Sequence, residues 1–407
     1  MTLQTALSGL LAAQTGINTA SNNLANANTT AFKSQTSLFE DIYPQNATDV
    51  PGTGAATEGI STDLTQGNLT ATGDSLDAAI QGNGYFVISN DGSQQYTRDG
   101  AFQLSSTGQM ETLNGNSLLG YQVNNGVTGG TLSPITINTG SIAATATSSV
   151  GLSLSLNSGD PVIPSGTEFN PNTPSTYSES TSIVTYDSLG NANRTQLYLV
   201  QNPASATAPS SWTIYAQPQL ANGTDIGTAP TTLTTLTFSS SGALTSGSPA
   251  SLPVAWGNGA ASSAVAFDFS GTTLGAQDFA INSTTNNGSA PGNYTGTSIS
   301  SDGSLVSTYS NGQTITNAKI AVANFINPEG LTNISGNLYG ANNISGTASV
   351  NTPGTGLAGT LKGGNLESSN VSTSDMLVSL IQYQQAYQAN TSVIQTEQQD
   401  SQRLLQI

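Results

Sequence analysis

The stretch VSTSDMLVSLIQYQQAYQANTSVIQTEQQDSQRLLQI, residues 371–407, decides how the chain is built. Apolar residues recur at alternating steps of four and three through Met376, Leu380, Tyr383 and Tyr387, and the same phase reaches Ile394 and Leu404. That is the heptad seam of one long helix. Ser372 with Asp375 is a weak form of the capping box, and Arg403 in the last turn has the sign that a helix C-terminus prefers. The rest of the surface is largely glutamine, and Gln384, Gln388, Gln395, Gln399 and Gln402 are its candidates for a hydrophilic, uncharged wall. At about 1.5 Å per residue the helix runs roughly 55 Å, longer than a small domain is wide, so a partner must cover its seam.

The other end of the chain supplies one. Leu3, Leu7, Leu10, Ile17 and Leu24 keep the same rhythm, with Gln14 and Ser21 in phase as polar interruptions. Gly9 and Gly16 lie inside this segment and cost about 1 kcal/mol each against Ala, which makes the helix marginal alone and points to ordering on a partner. The alternative reading of each terminus is an ordinary amphipathic helix on a globular core.

Between them the composition is that of a folded, turn-rich β protein: 7% charged residues, 44 glycines, and a net charge of −17 too dilute over 407 residues to hold a chain open. Tyr85-Phe86-Val87-Ile88 closed by Asn90-Asp91-Gly92 is a hairpin signal. The pattern apolar-Ser-Ser-x-Gly-x-apolar occurs at 104–110, 238–244 and 299–305, each time a hairpin device, and Tyr186 to Asn191 is a fourth by the same logic. The body therefore reads as antiparallel β. Composition softens at 138–180 and again around 282–293, which brackets an outer β-domain at 149–288 inserted in an inner one formed by 71–148 and 289–360. Residues 29–70 and 361–370 read as irregular linker, on the strength of Pro44, Pro51 and clusters of Gly and Thr, and 1–28 with 371–407 as the terminal helices.

Catalysis has little to work with. The chain has no Cys and no His, so thiolate chemistry, imidazole bases and the usual zinc or copper sites are absent. No Lys has a Ser three residues upstream, and no calcium-loop spacing occurs. The acids sit singly in turns such as Ser301-Asp302-Gly303, where Asp and Gly serve backbone geometry. Gly82-Asn83-Gly84 precedes a strand instead of following one, so it is no nucleotide loop. We expect neither an enzyme nor a cofactor nor a metal site. The six cations, Lys33, Arg98, Arg194, Lys319, Lys362 and Arg403, are scattered, which argues against nucleic acid, and no apolar run approaches a membrane span. Leu11-Ala12-Ala13 has the look of a leader-peptide cut, yet residues 1–32 carry no charge and the heptad phase runs through it, so a cleaved signal peptide is not expected.

Ser21-Asn22-Asn23-Leu24-Ala25-Asn26-Ala27-Asn28-Thr29-Thr30-Ala31-Phe32-Lys33 resembles the N-terminal signature of the bacterial flagellar rod and hook proteins. Gly364-Asn365-Leu366-Glu367-Ser368-Ser369-Asn370-Val371 and Gln385-Ala386-Tyr387-Gln388-Ala389-Asn390 resemble that family's other end, and Gln66 to Leu69, Asp77 to Phe86, Tyr96 to Phe102 and Asn327 to Leu331 its inner part. One departure is Ala31, where the family usually has Gly; a positive φ there would strain it. The resemblance implies an axial protein with paired terminal helices, exported without a cleaved leader to the extracellular flagellum. It would polymerise with itself and meet rod, hook-cap and hook–filament junction proteins. The insertion at 149–288 favours a hook subunit, a flexible joint and export conduit, over its sibling, a distal rod protein. A secreted β-rich adhesin or polysaccharide-active protein is the reading of another class; it calls for a clustered aromatic and acidic cleft, whereas only Trp212 and Trp256 are available as tryptophans.

Overall fold

The computed structural model describes residues 2–43, 52–124, 126–204, 210–227 and 229–404, and the chain divides into two compact units. One comprises Met1–Thr139, Gly296–Ser307 and Thr314–Ile407; the other comprises Gly140–Thr295 and Thr308–Gln313. The second unit thus starts earlier than the boundary at 149 read from composition and takes in a hairpin tip from the returning chain.

In the first unit, helix α1 (Thr2–Ala25) packs against helix α2 (Thr373–Leu404). Ser372 occupies the position before the first turn of α2, its carbonyl accepting from Met376 N–H at 3.0 Å. Helix α1 ends in the asparagine run, where the Asn26 side chain donates back to the Asn22 carbonyl at 3.0 Å. The chain then turns through Ala31 at φ 57°. The expected irregular linkers at 29–70 and 361–370 are both corrected here, the second because Thr360–Gly363 and Asn365–Glu367 are strands paired antiparallel with Ala78–Gln81 and Leu69–Ala71. Strands β1 (Gln35–Ile42) and β2 (Gly54–Thr62) pair antiparallel, with a bulge between Leu38 and Phe39, and lie along α1. Pro44 and Pro51, which suggested a linker, lie outside the described residues, so the breakers fall between the strands and not within them.

Most of the rest of this unit is a large sheet around Tyr85–Asn90, with two small two-stranded sheets beside it in sequence. That strand turns into Ser93–Thr97 through Asp91 at φ 47° and Gly92 at φ 85°, the two left-handed positions of a tight hairpin turn. Val322–Asn324 pairs with it from the far end of the sequence. Phe325 sits edge-on to Tyr96 at 4.8 Å between ring centres, and Tyr85 to Tyr339 at 5.3 Å, in a core shared with Val87, Leu119 and Ala323.

The second unit buries its own core. Strand Ser149–Asn157 alternates strictly, with Val150, Leu152, Leu154 and Leu156 no more than 1% exposed, against Leu197, Leu199, Trp212, Ile214, Phe238 and Phe267. Its first sheet is antiparallel, but Ser149–Asn157 runs parallel to Ser263–Asp268 and Thr273–Gly275. A purely antiparallel body is therefore corrected. The long connection between Ser149–Asn157 and Ser263–Asp268 gives the chain room to return in the same direction, which short hairpins cannot do.

All three copies of the Ser-Ser-x-Gly pattern close hairpins. Gly108, Gly242 and Gly303 have φ of 78°, 79° and 79°, each donating its N–H back three residues to Ser105, Ser239 and Ser300. In each the glycine carbonyl also accepts a bond from a further segment, from Ile137, Leu274 and Ile320 N–H at 2.8, 2.9 and 2.9 Å. A Cβ on Gly108 or Gly242 would run into the Ile137 or Leu274 carbonyl, so both the turn and the close approach require glycine. The fourth hairpin follows the same bonding, with Gly190 at φ 86° donating to Asp187.

Candidate assembly surfaces and the charged node

Helix α1 carries two adjacent heptad stripes, of which the leucines form only one. The other lies one position earlier and is made of small residues, Ala6, Gly9, Ala13, Gly16, Ala20 and Asn23, of which Gly9, Gly16 and Asn23 meet α2. The fit is close. A Cβ on Gly16 would lie 2.5 Å from the Tyr383 ring, one on Gly9 would lie 2.9 Å from the Asn390 amide, and Asn23 Nδ2 donates to Met376 Sδ at 3.4 Å. Gly9 and Gly16 are thus sites at which α2 side chains approach α1 closely, and their poor helix propensity is offset by packing.

On α2, Met376, Leu380, Tyr383, Tyr387 and Ile394 are all half-buried, and Met376 and Tyr383 meet α1 at Asn23 and Gly16. The side chain of Leu404 lies outside the described residues. On α1, Leu10, Ile17 and Leu24 are half-buried while Leu3 and Leu7 are 48% and 50% exposed. Leu377, Val378, Ile381 and Val393 of α2 are exposed as well, as are Gln384, Gln388, Gln395, Gln399 and Gln402. The single chain therefore covers one seam and leaves apolar stripes open on both helices.

The sequence did not reveal what fixes the helices to the β body. Asn23, 1% exposed, behaves like a strand edge: its Oδ1 accepts from Gln35 N–H at 2.9 Å and its Nδ2 donates to the Gln35 carbonyl at 2.6 Å. Asn370 does the same before α2, accepting from Ser34 N–H at 2.8 Å and donating to the Asp63 carbonyl at 2.9 Å. Between them lies a buried charged node. Glu367 takes Lys33 Nζ on Oε1 at 2.6 Å and Arg98 Nε on Oε2 at 2.8 Å, and its Oε1 also accepts from Gly67 N–H. Its carbonyl accepts from Ala31 N–H at 2.8 Å, so the strained turn and the node are one construction.

Burial pushes the Glu367 carboxyl up, but Arg98 and Lys33 outweigh it and hold the group below its ordinary value. Lys33 is pulled below its own ordinary value, chiefly by burial. Lys33, Arg98 and Glu367 stand in three separate parts of the sequence, and the available signal was that each falls inside a stretch of family-like residues in a chain poor in charge. Among the described residues no group of carboxylates is placed to hold a metal, and no helix is long and apolar enough to cross a membrane.

Four family models match along the chain: flagella basal body rod protein at 3–33, flagellar hook protein FlgE/F/G D1 domain at 79–152, flagellar basal body protein FlaE D2 domain at 152–289, and flagellar basal body rod FlgEFG protein C-terminal at 362–407. Flagellar hook protein FlgE of Salmonella typhimurium strain LT2 is 36% identical over 408 residues, covering 98% of both chains. The chain belongs to the flagellar hook protein family. FlgE of Escherichia coli K12 is also 36% identical with 98% of both chains covered, and FlgE of Rhizobium meliloti is 31% identical over 97% of this chain and 96% of that one. The crystal structure of Helicobacter pylori flagellar hook protein FlgE2 shares the fold, with a TM-score of 0.54 at 15% identity, covering 74% of this chain and 100% of that one. This is a family of structural proteins of the flagellar hook, serving motility.

Proposed function

We propose that this hook protein polymerises with itself into a curved hollow tube in which the leucine stripe of α1 is the face presented to neighbouring copies. The observation that carries the reading is the pair of stripes on α1: the small-residue stripe is occupied by α2, while Leu3 and Leu7 beside it stay half exposed. Leu10, Ile17 and Leu24 continue that face, and Met376, Leu380, Tyr383, Tyr387 and Ile394 form the internal seam against α1. Gln384, Gln388, Gln395, Gln399 and Gln402 line the lumen in this reading; an uncharged hydrophilic wall passes unfolded export substrates of either charge without holding them. The inserted β-domain forms the outer layer that lets the tube act as a flexible joint between rod and filament. Its presence favours the hook over the distal rod, and contacts with rod, cap and junction proteins follow from that position. Export outside the cell without loss of a leader belongs to this reading and is supported by Gly16, which follows the candidate cut and is packed against Tyr383 of α2.

Leu7→Asp tests the assignment. Leu7 is exposed in the single chain, so the substitution leaves the fold and its melting transition unchanged, but in the tube it buries an unpaired charge at every subunit contact. Electron microscopy should show no tubes from Leu7→Asp; tubes of normal yield would remove the leucine stripe from the interface.

A further inference from the structure

We propose that the first unit contains a binding pocket for a carboxylate on a short apolar stem, with the Asn324 side-chain amide and the Arg98 guanidinium as its receptor. The cavity has a volume of about 190 Å³, and Asn324 and Arg98 line it together with Leu64, Phe325, Pro328 and Leu357. Asn324 is only 8% exposed, and its Nδ2 has no hydrogen-bond partner among the described residues, so a buried donor is left with its desolvation penalty. Arg98 spends four donated bonds on Glu367 and on the carbonyls of Gly84, Ile80 and Gly82, and keeps the fifth N–H of the guanidinium.

The charge balance points the same way. Lys33 and Arg98 share one buried carboxylate, Glu367, so the node holds one positive charge in excess. The depressed Lys33 is a symptom: burial is the main cause and Arg98 adds to it, while Asp63, which opposes it, is exposed. A further anion beside Arg98 would relieve the node. Leu64, Phe325, Pro328 and Leu357 supply apolar walls, with Leu357 81% exposed. An inorganic anion would leave those walls wet, an amine would be repelled, and an alcohol would not answer the charge. At roughly 30 Å³ per water the space holds about six waters, or the chain of a four-carbon acid.

The probe is butyrate, titrated into the full-length protein while the Asn324 side-chain amide is followed by NMR, with n-butanol and n-butylamine at equal ionic strength as controls. Butyrate should give a saturable shift and the controls none. Asn324→Leu should weaken binding by roughly tenfold or more, the worth of a hydrogen bond to a charged group. Asn324→Asp puts a carboxylate into the pocket from within, so it should fold normally and no longer bind butyrate. Butanol binding as well as butyrate, no saturable shift with any probe, or Asn324→Asp failing to fold would each overturn the proposal and leave a water-filled void. The source of the acid is read from assembly: butyrate that suppresses polymerisation of the wild type, but not of Asn324→Leu, assigns the pocket to an acidic side chain of a second copy. Butyrate that binds without affecting polymerisation assigns it to a free acid.

Discussion

Replacing the two glycines of α1 by alanine should have opposite effects, although by helix propensity they are the same substitution. Each removes a glycine from a helix interior and so favours α1 by about 1 kcal/mol. At Gly9 the new Cβ meets the end of the Asn390 side chain at 2.9 Å. Among the described residues that amide is held by its own helix, Nδ2 to the Ala386 carbonyl at 2.9 Å, and swings aside at little cost, so the propensity gain survives. At Gly16 the new Cβ falls 2.5 Å from Cδ1, 2.6 Å from Cε1 and 2.8 Å from Cγ of Tyr383, a rigid ring that also sits edge-on to Phe39 at 6.5 Å. Relieving that contact means parting the helices, at a typical overpacking cost of about 1–3 kcal/mol, which cancels or exceeds the gain.

The readout has to be local, because the terminal helices open independently of a β-core. Amide hydrogen exchange in the middle of α1 should slow about fivefold in Gly9→Ala and quicken by up to roughly thirtyfold in Gly16→Ala, since about 1.4 kcal/mol is a factor of ten. Tyr383→Ala removes the ring, and in that background Gly16→Ala should slow exchange as Gly9→Ala does. Equal slowing by both alanines in the wild-type background would show that α1 does not meet α2 along the small-residue stripe.

Three further outcomes follow from the polar parts of the structure. Ala31→Gly should raise the urea midpoint of the first unit by an amount worth about 1 kcal/mol, because φ 57° costs a non-glycine residue about that much. Glu367→Gln should cost about 3–5 kcal/mol in the same assay by leaving two buried cations without their anion, while replacing Lys33, Arg98 and Glu367 together by apolar residues should cost less than the single change. In the second unit burial pushes the Asp187 carboxyl up, but bonds from Asn191, Asn258 and Asn193 outweigh it and bring it to about 2. A depressed carboxylate adds stability that is complete above its unfolded value near 4 and is lost as pH falls to 2. The unit should therefore lose about 2 kcal/mol on acidification, and Asp187→Asn should flatten that dependence in urea melts taken between pH 5 and 2.

The hairpins were legible because the physics of each is local: a glycine with positive φ, a serine or aspartate before it, and an apolar residue on either side are adjacent in sequence. The seam on α2 was legible because bulky residues mark it. Beside the leucines that the sequence marks on α1, a second face one residue earlier meets α2 at Gly9, Gly16 and Asn23, and it is written in small residues, which a hydrophobic pattern passes over. β1 and β2 carry no strong alternation, and they form because α1 covers them: Ser37 hydrogen-bonds Thr19 at 2.8 Å, and Ala55 N–H donates to Ser8 Oγ at 3.2 Å. The node at Glu367 joins residues 334 and 269 positions apart, a separation over which no local pattern carries information.

This distribution of chemistry answers a problem that the helices pose. A stripe of Ala and Gly lets two helices approach closely but discriminates registers poorly, since a slide of one heptad again sets small residues against large ones. Something outside the seam must choose. The clamps sit at one end of it: Asn23 on Gln35, Asn370 on Ser34 and Asp63, and Glu367 on Lys33 and Arg98. Asn23 ties α1 to the β body, while Asn370 and Glu367 tie the start of α2 to it, so a slide of α2 past α1 by one heptad would break the latter two together, leaving buried donors and a buried charge unpaired. Apolar contacts at the same place would tolerate such a slip. The polar end therefore sets the register, the small-residue stripe sets the distance, and the leucines are left free of both tasks.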